Sequence, residues 1–212
     1  MLSTLLAVAL AAPLCGPADT PVPVAPDTVA ALWADGESFA DFLEAAKRRR
    51  DTWHGNYAKG IADPAIVARA RAIPGRWRFL VVAEDWCGDS ANTIPYFASL
   101  VDAVPGFEIR IVRSEPGDLI LDRHRSVDGR KSTPTVVLLT DGMEQAGCWV
   151  ERPKPLQDWF QEQKPKMNNE DLHAEKYKWY DQDAGRTTLE ELVALAEAAA
   201  RGARPTACAG GG

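Results

Sequence analysis

The chain has 212 residues, 46% of them hydrophobic and 25% charged, with 24 Lys and Arg against 30 Asp and Glu. This is enough apolar material for one core with extensions, with no need of a disulfide framework or a structural metal. The net charge of −6 argues against a nucleic-acid partner.

The first segment, residues 2–14, is an apolar, alanine-rich run too short to span a bilayer, so no stable membrane span is expected. Ala9-Leu10-Ala11 offers a small-residue cleavage site, and a Pro-rich stretch over 13–26 follows. No Lys or Arg precedes the run, and a wrongly assigned start codon would look the same, but the reading favours export over a cytoplasmic location. Leu14 is too large for Cys15 to resemble a lipid-attachment cysteine.

Beyond the Pro-rich stretch, Phe39, Phe42, Leu43, Ala46, Trp53 and Tyr57 recur at helical spacing and predict one long amphipathic helix, with Asp35 and Ser38 as caps. The run Lys47-Arg48-Arg49-Arg50 falls inside it and reads as a solvated face. Asp63-Pro64 opens a second helix that presents Ile66, Val67 and Ala70 and stops near Pro74-Gly75. Residues 77–83 (WRFLVVA) then form a short apolar run suited to a strand buried on both faces. From Gly88 the pattern turns helical, with Ile94, Phe97, Leu100, Val101 and Val104 on one side and Pro95 as a kink.

Residues 107–112 alternate like a strand, and 118–125 predict a short helix. Residues 135–140 and 145–150 flank Asp141-Gly142 and read as a β-hairpin. Three helices follow, marked by Leu156, Trp159 and Phe160, by Leu172, Trp179 and Tyr180, and by Leu189, Leu192, Val193 and Ala196; the last opens on a capping box, Thr187 with Glu190. Residues 203–212, rich in small side chains, read as a disordered tail.

The four cysteines, at 15, 87, 148 and 208, form no CxxC and lack zinc-ligand spacing. His54, His124 and His173 stand apart from one another and from the cysteines, so no metal and no cofactor is expected; His54 and His173 read as partly exposed helix residues. Cys148, in mid-hairpin, reads as core, and Cys208 as a tail residue. Cys87 differs because it falls where a strand ends and a helix begins, and a helix N-terminus favours the thiolate through its unpaired N–H groups and dipole. One turn on, Ser90 is placed to donate a hydroxyl hydrogen bond to that sulfur. Glu84, Asp85 and Asp89 tend to raise the thiol pKa, and Arg130 and Lys131 to offset them.

The segment Trp86-Cys87-Gly88-Asp89-Ser90 resembles the Trp-Cys-Gly-x-Cys active-site segment of the thioredoxin superfamily, with serine in place of the second cysteine. Lys131-Ser132-Thr133-Pro134-Thr135 resembles that family's loop whose proline is cis and packs against the reactive cysteine. Together they imply an α/β thioredoxin fold, a central mixed sheet flanked by helices, over residues 63–163. Around it lie a signal segment and linker (1–30), an N-terminal helical extension (31–62), a C-terminal helical extension (164–202) and the tail (203–212). The resemblance implies Cys87 as nucleophile, Ser90 in the resolving position, and Trp86, Gly88, Asp89, Thr133 and Pro134 as the substrate-binding edge. Protein or low-molecular-weight thiols and disulfides are the implied partners, and the oligomeric state stays open. Because serine cannot resolve a mixed disulfide, an external thiol or another cysteine must do so. Monothiol glutaredoxins share the serine, but the Cys148-Trp149-Val150-Glu151-Arg152-Pro153 exit of the hairpin lacks their Gly-Gly-x-x-Asp glutathione contact. The alternatives are a thioredoxin-fold binding module with little or no turnover, and an envelope protein whose thiol is structural.

Overall fold

The computed structural model describes residues 24–61, 63–203 and 208–211. The signal-segment reading and Cys15 lie outside them. The mixed sheet has the order β2-β1-β3-β4-β5. Within it β1 (Trp77–Val82) pairs parallel with β2 (Phe107–Val112) and antiparallel with β3 (Thr135–Leu139). β3 forms the expected hairpin with β4 (Gln145–Val150).

Alternation along β1 divides the core between the two faces of the sheet. Phe79 and Val81 join the larger cluster, under α2 (Phe39–Ala45), α3 (Arg50–Lys59), α4 (Pro64–Arg71), α5 (Gly88–Ala103) and α9 (Arg186–Ala200). Leu80 and Val82 join the smaller one, under α1 (Pro26–Asp35) and α6 (Asp118–Arg123). Two further helices, α7 (Lys154–Gln163) and α8 (Asn169–Asp183), complete the chain before α9. Among the described residues no helix is long and apolar enough to cross a membrane.

Several local readings need correction. The single long helix expected over Phe39 to Tyr57 is two helices, because Arg49 takes a left-handed φ of 51° and the Lys47 and Arg48 N–H groups bond the Asp85 carboxylate at 2.9 and 3.1 Å. The basic run therefore forms the corner between α2 and α3 and is not a helix face. A helix also begins earlier than expected, at Pro26, inside the stretch read as linker. In α5, Pro95 has no N–H for the Ala91 carbonyl, and Asn56 Nδ2 donates to that oxygen instead, at 2.9 Å. The capping box of α9 does not form; the Thr187 N–H bonds the carboxylate of Asp183.

Residues 208–211, within the expected disordered tail of 203–212, are held against the sheet. Cys208 is disulfide-bonded to Cys148, and residues Ala209–Gly210 add β5 alongside β4. Gly210 fits there because its φ of 72° suits glycine and a Cβ would meet the Trp149 indole.

Candidate functional site

Cys87 is the N-cap of α5, five residues beyond the end of β1. Its Sγ accepts the Ser90 N–H at 3.4 Å, and the thiol donates to the Thr133 carbonyl at 3.1 Å. The Thr133–Pro134 peptide is cis. Strand end, helix start and proline loop thus meet at one sulfur. The residue is 7% exposed, whereas Trp86 beside it is 54% exposed and offers a flat apolar face at the rim.

The expected hydroxyl bond from Ser90 to the sulfur is absent: the backbone N–H fills that position, and Ser90 Oγ is buried with no partner among the described residues. Gly88 lies beneath Tyr177 of α8, where a Cβ would run into the tyrosine hydroxyl. Nor are the acidic neighbours free charges facing the thiol. Glu84 accepts the Ser114 N–H at 2.8 Å. Asp85, which burial would push up, is held below the usual carboxylate range by the Lys47 and Arg48 N–H groups.

Asp89 is buried under α8 and the turn after β4. Its Oδ1 takes Lys176 Nζ and the Tyr180 hydroxyl, each at 2.9 Å, and its Oδ2 takes Arg152 Nη2 at 3.1 Å. Burial alone would raise its pKa, but the two cations outweigh that and the carboxyl titrates below its ordinary value. Burial and the Asp89 charge push Tyr180 well up, so it stays a hydroxyl donor. Arg152 also binds Glu151 at 2.6 Å and stacks 4.2 Å from the Phe160 ring centroid. Arg130 reaches Glu151 at 3.1 Å, while Lys131 is drawn away to Asp118 at 2.8 Å. Only Arg130 therefore joins the network, and it does so at one remove.

Arg49, Arg152, Lys176, Tyr177 and Tyr180 are neighbours of the site that the sequence did not mark as such. Arg49 Nε holds the Trp86 carbonyl at 2.8 Å, and its guanidinium lies 5.5 Å from the Tyr177 ring centroid. A signal for Lys176 was present: Leu172, Lys176 and Tyr180 form one row at helical spacing, and a lysine within an apolar row asks for a buried anion. Cys148 and Cys208 are joined, with Cα atoms 4.7 Å apart, which leaves Cys87 as the free cysteine among the described residues.

The thioredoxin family profile matches residues 36–166. A 1.5 Å crystal structure of a protein of unknown function from Pseudomonas aeruginosa is similar, at TM-score 0.60 and 23% identity over 80% of this chain and 97% of that one. A crystallised HIV epitope-scaffold is similar at TM-score 0.55 and 22% identity, over 79% of this chain and 96% of the scaffold. No curated protein matches the chain. With a profile match over more than half its length, a mixed sheet flanked by helices and helical extensions on either side, the chain belongs to the thioredoxin family.

Proposed function

We propose that this is a monothiol thioredoxin-like protein that carries out thiol–disulfide exchange through Cys87. The observation that supports this most is the sulfur's position, at the start of α5, with the Ser90 N–H on one side and the Thr133 carbonyl, ahead of a cis proline, on the other. The Ser90 N–H and the start of a 16-residue helix both meet that sulfur. In the reaction, the Cys87 thiolate attacks one sulfur of a disulfide, a new S–S bond forms to Cys87, and the other sulfur leaves as a thiolate that takes up a proton. Ser90 cannot displace the bound half. A second thiol, such as a low-molecular-weight one, attacks the mixed disulfide, carries the substrate sulfur away and regenerates Cys87.

Mass spectrometry after treatment with oxidised glutathione tests the first step. One glutathione on Cys87 is expected, and absence of that adduct from neutral to alkaline pH would remove the nucleophile. Insulin reduction by wild type, Cys87→Ser and Ser90→Cys tests turnover. Ser90→Cys is expected to gain reductase activity over the wild type, and Cys87→Ser to have none. The low exposure of Cys87 favours a second reading, a binding module with little turnover. Partner capture undiminished in Cys87→Ala would select it.

A further inference from the structure

On the opposite face of the sheet from α5, three chain segments bring a histidine to two cysteines. His124 ends α6, Cys148 lies in β4 opposite Val137 of the smaller core cluster, and Cys208 leads into β5. Their donor atoms all lie within 4.8 Å of one another, and His124 Nδ1 is 3.6 Å from Cys208 Sγ. Histidines and cysteines that stand apart in the sequence are thus neighbours in the fold.

We propose that His124, Cys148 and Cys208 form a redox-gated site for a thiophilic divalent cation of the Zn²⁺ class, shut while the two sulfurs are bonded and opened by their reduction. The His124–Cys208 separation is already that of two ligands of one tetrahedral ion, since bonds of about 2.0 Å to nitrogen and 2.3 Å to sulfur place those atoms about 3.5 Å apart. His124 and Cys148 are buried, at 3% and 6% exposed, and Cys208 is half-buried. The other His124 nitrogen, Nε2, is buried with no hydrogen-bond partner among the described residues, which leaves Nδ1, on the side of the two sulfurs, as the nitrogen placed to bind.

Cys208 opens on a cavity of about 430 Å³ that Gln157, Asp158 and Gln161 also line, which gives an ion and a fourth ligand a way in. Two electrons and two protons from a reductant such as a phosphine or a dithiol convert the disulfide to two thiols. The cation then displaces both thiol protons and takes two thiolates and the imidazole nitrogen. Reduction frees the sulfurs to move to the separation of about 3.7 Å that two thiolates on one tetrahedral ion require. This site is separate from Cys87, and its test does not depend on the exchange reaction.

The experiment uses the full chain with Cys15→Ser and Cys87→Ser, so that 148 and 208 carry the only thiols, reduced anaerobically with a non-chelating phosphine and titrated with Co²⁺. One Co²⁺ per chain is expected, with thiolate charge-transfer absorption in the near ultraviolet, tetrahedral d–d bands in the visible, and displacement of both by Zn²⁺. The unreduced protein is expected to give neither band. Adding Cys208→Ala, the least disruptive change to the core, is expected to abolish the signal, and His124→Ala to weaken binding tenfold or more. No tetrahedral band after reduction, or a band that survives Cys208→Ala, overturns the proposal. A band of equal strength before reduction overturns the gating.

Discussion

Asp89 meets two cations and a tyrosine hydroxyl beside the thiol, and removing its charge strands Lys176 in the interior and leaves Arg152 with Glu151 alone. Asp89→Asn is expected to cost about 3–5 kcal/mol in urea unfolding at pH 7. Because the folded-state pKa is depressed, the ionised carboxyl contributes stability above the unfolded value of about 3.9 and loses it as pH falls through the folded one. The gap between wild type and Asp89→Asn is therefore expected to stay constant from pH 7 to 5 and to close below about pH 4. Ser90 presents the opposite case. Its hydroxyl is buried without a partner among the described residues, so Ser90→Ala is expected to leave the unfolding free energy in urea unchanged or raise it, by up to about 1–3 kcal/mol. Trp86, Cys87, Thr133 and Pro134 were legible because a local motif marks each. Arg152 and Lys176 were not, since what defines them is a carboxylate distant in sequence.

At the scale of elements, α8 supplies Lys176, Tyr177 and Tyr180 to the thiol's surroundings. It begins at Asn168, whose Oδ1 accepts the Asp171 N–H at 3.0 Å. Asn168→Ala is expected to cost about 1 kcal/mol by urea unfolding, the usual value of an N-cap. The strands, α4, α5 and the hairpin were readable because apolar runs and Asp-Pro or Asp-Gly signals are local. The break between α2 and α3 was hidden because the apolar spacing continues across it. What ends α2 is the Asp85 carboxylate, brought from the far side of β1 to take two backbone N–H groups. Helical periodicity reports which side of a segment is buried and does not report a competing acceptor supplied by the fold.

For the whole molecule, the Cys148–Cys208 bond, with a sequence separation of 60, closes a loop that spans α7, α8 and α9. Cys208→Ala is expected to lower stability by roughly 2–4 kcal/mol under oxidising conditions and by much less under reducing ones, as read by parallel urea titrations. Small-residue composition misled the reading of this terminus, because a covalent tie and a two-residue strand hold residues that have little apolar surface of their own. The sheet is also occupied at its opposite margin, where Glu37 exchanges backbone hydrogen bonds of 2.8 and 2.9 Å with Ile111 of β2. Exposed strand margins are where unrelated chains zip together. Contact with Glu37 at Ile111 on one flank, and with Ala209 and Gly210 at Trp149 and Val150 on the other, shortens the run of unpaired backbone that such zipping needs.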